Sequence, residues 1–493
     1  MTKFFGSFLT TYLLSLVCLI TASHASSYPG AEWPTDSLDS VQIDSQKLQP
    51  WVDYAFTETK TRKTDALLII RHGKLVYEKY KYGFTANSPH ISWSMAKSMA
   101  AVVFGIAESE KIIRRDTKMI DIYHYLSTDQ EEQAKRDQVT MYHLLTMSSG
   151  MQWEESYSKT NPLVSDVTQM LYMEPERNMG AYVASRTMKN APGAAFLYST
   201  GNSMLVMDAL RHRMSEDAYH AYPWKKLFNK IGMKNVTWER DGAGTFAGGS
   251  YVYATARDYA RFGYLMLNEG KWENEQVVPS EWMKTMRVLS PGLSTGTVKP
   301  DGSEPYGAGF WLNVPIPHWN LPAPYPAAPQ DTWMAIGHNG QTIMMIPSKD
   351  LVIVRLAHDD DNGIDHNDYL KLLLAAVDTK VPAAKAVKTI AHAEGVTQVS
   401  NDPTLKWNSD LPVPGRKLTS FVNFTTLIAR VRAKDFCSCY FVQGQTVDFC
   451  KELVLNGYPL IHMKIDESAR SVTFGILPAR SAHYVSQQFG CAY

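Results

Sequence analysis

The placement of strand-like segments constrains this chain most: they occur near both ends of its first 377 residues and are nearly absent between. Residues 67–70 (LLII) and 75–80 (LVYEKY) read as two strands around the turn Arg71-His72-Gly73-Lys74. Far downstream, residues 333–336, 341–346 and 351–357 are short apolar runs separated by turn residues, as in adjacent antiparallel strands. Residues 45–60 and 369–377 read as helices, and 116–281 is mostly helix and loop, including a helix over 143–150 that ends at Gly150. Sequential elements that cannot bury their apolar faces alone must share a core. The pattern therefore predicts an α+β fold with one antiparallel sheet built from both ends of the domain, helices on its faces and an inserted helical lobe.

Within that plan the tetrad Ser94-Met95-Ala96-Lys97 carries the chemistry. Residues three apart on a helix share a face, so the Lys97 amine comes within reach of the Ser94 hydroxyl. A serine hydroxyl needs an adjacent base, and a lysine serves as one when burial keeps part of it neutral. Met95, Met99, Val102, Val103 and Ile106 recur at helical spacing after Ser94. A serine at the start of such a helix has backbone N–H groups and the positive dipole end beside it, suited to an oxyanion. A second match to the tetrad, Ser156-Tyr157-Ser158-Lys159, lies in the polar stretch 154–161 with no apolar helix after it and reads as a solvated loop.

Two later motifs fit the same chemistry. Tyr198-Ser199-Thr200 precedes an apolar helix and supplies a phenol that could pass a proton between serine and leaving group. Gly337-His338-Asn339-Gly340 lies at a strand junction, where glycine permits close backbone approach and Gln341 offers a strand N–H. Taken singly, these are a packed aromatic and a hairpin turn. The chain contains no His-Glu-x-x-His, which disfavours a zincin.

In this order and spacing the motifs resemble the penicillin-recognising serine hydrolases, which include class C β-lactamases, D-alanyl-D-alanine carboxypeptidases, family VIII esterases and 6-aminohexanoate-dimer hydrolases. The resemblance spans residues 48–377 and is reinforced by residues 144–150, Gly248-Gly249-Ser250 and Tyr306-Gly307-Ala308-Gly309-Phe310. It implies a β-lactamase/transpeptidase-like fold, with Ser94 as acylated nucleophile, Lys97 as base and Tyr198 as second proton carrier. The N–H groups of Ser94 and Gln341 would form the oxyanion hole, and Thr200, His338, Asn339 and Gly340 would meet substrate. Two positions depart from true β-lactamases: their Lys-Thr-Gly is His338-Asn339-Gly340 here, and the Asn two places after the motif tyrosine is Thr200. The lost cation and amide favour a small-molecule amide or ester as substrate. The alternative is a class C-like β-lactamase or a D-alanyl-D-alanine carboxypeptidase acting on cell-wall peptides, and a non-catalytic binding module is disfavoured by the presence of Ser, Lys and Tyr together.

The remaining sequence bounds compartment and partners. Residues 1–25 read as a secretory signal, with Lys3, an apolar stretch over 12–20 and Ser23-His24-Ala25 before the expected cleavage. Its apolar stretch is short and interrupted for a membrane span, so the protein is expected to be exported, periplasmic or secreted, with no stable span after cleavage. Lys plus Arg and Asp plus Glu both number 49, so charge gives no reason to expect a nucleic-acid partner. Apart from Cys18 in the signal, the cysteines are Cys437, Cys439, Cys450 and Cys491, an even set that reads as two disulfides in an oxidising compartment. Cys437-Ser438-Cys439 lacks zinc-site spacing, and neither metal nor cofactor is expected. The expected organisation is a signal at 1–25, a hydrolase domain at 26–378, a linker at 379–415 rich in Ala, Lys, Pro and Asn, and a small disulfide-bearing module at 416–493.

Overall fold

A computed structural model describes residues 28–123, 127–156, 164–173, 178–302, 304–360, 363–377, 421–455, 463–475 and 479–493. The signal with Cys18, the linker, and Tyr157, Ser158 and Lys159 lie outside the described residues. The main sheet contains β1 (Thr64–Arg71), β2 (Lys74–Tyr80), β3 (Trp311–Leu312), β4 (Trp333–Gly337), β5 (Gln341–Ile346) and β6 (Leu351–Ala357). Its spatial order is β2-β1-β6-β5-β4-β3, all antiparallel. The two ends of the domain meet where β1 pairs with β6, with Leu67 opposite Arg355 and Ile69 opposite Ile353.

Side chains on a strand alternate between faces, and both faces of this sheet are covered. Leu67, Ile69, Met334, Met344, Ile346, Leu351 and Ile353 pack against Trp51 and Val52 of helix α1 (Ser45–Phe56) and Tyr369, Leu370 and Leu373 of the helix His366–Ala376. Ala66, Leu68, Ile70, Ile343, Met345, Val352 and Val354 face the opposite layer, with Met95–Ser109 and Ala256–Leu267. Each large apolar side chain so enclosed contributes roughly 1.5–3 kcal/mol. This double cover explains why β1 and β6 read as unbroken apolar runs.

The segment between the sheet halves is mainly helical, with a two-stranded hairpin of Lys271–Trp272 and Glu275–Gln276 and one small sheet. A small sheet joins His90–Ile91, Val252–Ala254 and Thr237–Trp238, each too short to show a period of two. Several helix ends differ from expectation, and the closing helix begins at His366 rather than Tyr369. The first helix stops at Phe56, where Thr57 turns extended. The helix expected to end at Gly150 spans only Met141–Leu145. It is closed by Met147 in the left-handed region (φ 57°), which lets Ser148 N–H bond the His143 carbonyl at 2.8 Å.

The cysteine-bearing segment packs directly on the hydrolase core. Its helix Phe421–Cys437 and the sheet Met463–Asp466, Ser471–Phe474, Arg480–Ser486 and Gly490–Ala492 share an apolar cluster with the helical lobe. The disulfides are Cys437–Cys491 and Cys439–Cys450. At the junction, buried Glu239 takes Lys434, the Ser438 hydroxyl at 2.8 Å and the Cys491 N–H at 2.9 Å. A buried carboxylate with three donors is well satisfied.

Candidate active site

The helix Met95–Ser109 is buried on every side from Met95 to Ala107, so it is more than the one-sided stripe its spacing suggests. Trp93, just before Ser94, has φ 43°, a left-handed conformation uncommon for a bulky residue. This bend carries Ser94 to the half-buried position immediately ahead of the helix. Gly309 (φ 83°) fits against the helix backbone; a Cβ there would lie 2.6 Å from that of Ala101. Its carbonyl accepts from Ser98 at 2.5 Å.

Lys97 is buried, and its ammonium meets three acceptors: Ser94 Oγ at 2.9 Å, Thr200 Oγ1 at 2.8 Å and the Gly249 carbonyl at 3.2 Å. Burial lowers its pKa to about 8, against the opposing effect of the Glu155 carboxylate 3.9 Å away. A neutral amine keeps two N–H bonds, for Thr200 and Gly249. Its lone pair then faces Ser94.

Tyr198 is adjacent. Its ring lies 4.8 Å from Lys97 Nζ and stacks on Trp311 at 5.1 Å, with Tyr306 edge-on at 5.8 Å. Burial pushes the phenol pKa well up, Glu155 adds to this, and a hydrogen bond with Ser94 opposes it. At neutral pH Tyr198 is therefore a protonated phenol, and Lys97 is the better base of the two.

The hairpin between β4 and β5 closes the site. His338–Gly340 forms its turn, with Asn339 at φ 60°, and Gln341 pairs with Gly337. A Cβ on Gly337 would fall 3.2 Å from Ser94 N and 2.2 Å from the Ser92 carbonyl, so only glycine lets the hairpin approach Ser94 this closely. The turn is braced from behind: Asp359 N–H bonds Asn339 O at 3.0 Å, and Arg355 bonds Gly340 O at 3.1 Å while meeting Asp359 at 2.7 and 2.8 Å. His338 packs edge-on to Trp93 at 5.7 Å. His338 and Asn339 line two cavities, one of about 570 Å³ with Glu304 and Tyr325, the other of about 360 Å³ with Tyr172 and Asp435.

Ser94, Lys97, Tyr198 and Thr200 are thus brought together, and the Gly337–Gln341 hairpin is set against them. Thr200 is buried between Lys97 and Glu155, where its hydroxyl bonds both. Glu155 is the residue that sequence reasoning missed. It belongs to the polar stretch 154–161 that reads as a solvated loop, yet it accepts from Thr200 and from Trp153 Nε1. The neighbouring Trp153, which is buried, was the available signal that the chain turns inward there.

Comparison with known proteins gives consistent results. A family model described as Beta-lactamase matches residues 52–377. The 6-aminohexanoate-dimer hydrolase of Paenarthrobacter ureafaciens is 24% identical over 317 residues, covering 62% of this chain and 74% of that protein. Among solved structures, a candidate 6-aminohexanoate-dimer hydrolase from Bacillus anthracis aligns with TM-score 0.54 and 21% identity, over 70% of this chain and 86% of its own. The octameric penicillin-binding protein homologue from Pyrococcus abyssi aligns at TM-score 0.50 and 17% identity, over 68% and 77% of the two chains.

Proposed function

This chain belongs to the β-lactamase family of serine hydrolases, and we propose that it is an exported amidase or esterase working through an acyl-enzyme on Ser94. The observation that carries this reading is the coordination of Lys97. Thr200 and Gly249 fix two of its N–H bonds and aim the third position at Ser94 Oγ, 2.9 Å away. With a pKa near 8, roughly a tenth of the amine is neutral at pH 7. That fraction takes the Ser94 proton as Oγ attacks the substrate carbonyl.

The N–H groups of Ser94 and Gln341 receive the developing oxyanion, where preorganised donors are worth about 2.7–4 kcal/mol each. Tyr198, held as a phenol, gives its proton to the departing amine or alcohol and is recharged from Lys97. Water then enters, loses a proton along the reverse route and releases the acid. His338, Asn339 and Gly340 face the leaving or acyl portion from the hairpin.

The charges in the larger cavity beside that hairpin bear on the substrate class, while the smaller one carries Arg432. In the larger cavity the one Lys or Arg among the lining residues is Arg355, already held by both oxygens of Asp359. Its other lining charges include Glu304, Asp360 and Asp365. Such a wall offers little to a β-lactam carboxylate, which supports the small amide or ester reading. Its similarity to a 6-aminohexanoate-dimer hydrolase supports the amide branch. Export fits the paired cysteines; among the described residues no helix is long and apolar enough to cross a membrane.

A fluorophosphonate probe followed by peptide mapping tests the scheme. The label belongs on Ser94 alone; a label on Ser156, or none, would refute it.

A further inference from the structure

Asp65, His90 and His358 form a buried cluster that acyl transfer does not use. They come from β1, from the strand leading into Ser94, and from the residue after β6, and one ligating atom from each lies within 4.8 Å of the others. The Asp65 and His90 side chains are wholly buried and that of His358 is 9% exposed. His90 Nδ1 lies 3.2 Å from the Ile91 carbonyl, and a carbonyl only accepts, so Nδ1 carries a proton. In a neutral imidazole Nε2 is then a bare lone pair, yet it faces Asp65 Oδ2 at 2.9 Å. His358 Nδ1 touches the same oxygen outside hydrogen-bond geometry, and Asp65 Oδ1 has no hydrogen-bond partner among the described residues. A buried carboxylate facing two ring nitrogens needs positive charge beside it, supplied either by ring protons or by a bound metal cation, and the experiment below separates the two.

We propose that Asp65, His90 and His358 bind a divalent transition metal, with zinc the best match to two imidazoles and a carboxylate. Tetrahedral zinc bonds of about 2.0–2.2 Å place ligand atoms about 3.3–3.6 Å apart, so Asp65 Oδ2, 2.9 Å from His90 Nε2 and closer still to His358 Nδ1, draws back from both rings as the ion enters. The Ile91 carbonyl on His90 Nδ1 is the kind of outer partner that fixes the tautomer of a metal-ligating histidine. His358 also lines the 360 Å³ cavity, which supplies an entry path and room for a fourth, water ligand. The bound ion ties the strand entering Ser94 to the end of β6. There the Gln341 amide grips Ala357 through its carbonyl at 2.5 Å and its N–H at 3.1 Å. It is thus a positioning site, and it stands whether or not Ser94 is the nucleophile.

Untagged full-length protein, stripped with a chelator and dialysed against Zn²⁺, is expected to hold one zinc per chain by plasma mass spectrometry. Loading with Co²⁺ instead is expected to give the visible ligand-field absorption of a four-coordinate ion. His358→Gln, at the most accessible corner, is expected to lose both while its circular dichroism stays unchanged. No zinc in the wild type, or the same zinc content in a folded His358→Gln protein, would overturn the site. If the variant does not fold, the wild-type Co²⁺ titration decides alone: absence of the ligand-field bands overturns the proposal.

Discussion

Glu155 holds Thr200 by both carboxylate oxygens, accepting from its hydroxyl at 2.5 Å and from its backbone N–H at 2.8 Å. Because the Thr200 proton points at Glu155, a lone pair of the same oxygen is left for Lys97 Nζ at 2.8 Å. A directed chain therefore runs from Lys97 through Thr200 to Glu155. It orients the amine, and the carboxylate's charge opposes the effect of burial on the Lys97 pKa.

Removing that charge should shift the pH dependence of the reaction. Acylation needs neutral Lys97, so kcat/KM rises with pH through the Lys97 pKa, about 8 in the wild type. In Glu155→Gln the carboxylate no longer favours the ammonium, the pKa falls, and the acid limb moves to lower pH. Profiles of p-nitrophenyl butyrate hydrolysis measure this. An unmoved limb would leave Glu155 as a geometric support for Thr200 only.

Lys97 should carry a stability cost alongside its proposed role as base. A free lysine side chain titrates near 10.5, and Lys97 in the folded protein near 8. Between those values the unfolded chain binds the extra proton, so stability rises with pH across that window and is lowest below it. A shift of this size corresponds to about 3 kcal/mol at pH 7, from which the hydrogen bonds to Thr200 and Gly249 must be subtracted. Lys97→Met is expected to lose acylation and to gain up to about 3 kcal/mol, the gain shrinking toward pH 10.5. Denaturant unfolding at pH 7 and pH 10 tests both parts, and a variant less stable at pH 7 contradicts the argument.

Tyr198→Phe separates packing from proton transfer. The ring can still stack on Trp311 and cover Lys97, so the fold should be unchanged. Turnover is expected to fall by about 10²- to 10⁴-fold, the usual size of a general acid–base effect. A rate within error of the wild type would reduce Tyr198 to an aromatic wall.

The features legible in the sequence were those carried by local period and spacing. β5 and β6 are continuous apolar runs because both their faces are covered, and their bounds match the expected 341–346 and 351–357. Ser94 and Lys97 are neighbours by helix geometry alone. Glu155 was not legible, because a carboxylate drawn toward a buried ammonium looks in sequence like any solvated acid. Nor were Asp65, His90 and His358, which tertiary pairing gathers from three separate elements. The same holds for Glu239, which reads as an ordinary surface acid until Lys434, Ser438 and Cys491 close over it.

The two disulfides should differ in weight. Cys437–Cys491 spans 54 residues and Cys439–Cys450 spans 11, so the chain-entropy model assigns about 4 and about 3 kcal/mol respectively. The longer link also clamps the strand that reaches Glu239. Replacing Cys437 and Cys491 with Ser should therefore lower the unfolding midpoint more than replacing Cys439 and Cys450. Peptide mapping without reduction should find these pairings and thiol titration no free cysteine among the four. Equal destabilisation, or the opposite order, would show that packing rather than loop closure dominates.

Substrate preference turns on His338. By the motif resemblance it would stand where β-lactamases carry a lysine, and an imidazole does not supply the permanent charge of an ammonium. The nearby Arg355 is occupied by Asp359, so it does not replace the missing cation. Losing one charge-assisted contact removes about 1.5–3 kcal/mol, or roughly ten- to a hundredfold in kcat/KM. The protein is therefore expected to hydrolyse p-nitrophenyl butyrate or a small linear amide much faster than a chromogenic cephalosporin. His338→Lys should raise cephalosporin turnover at pH 7. A cephalosporin kcat/KM equal to or above that of the ester would instead assign this chain to the β-lactamase or peptidase branch, with its carboxylate held by a group other than His338.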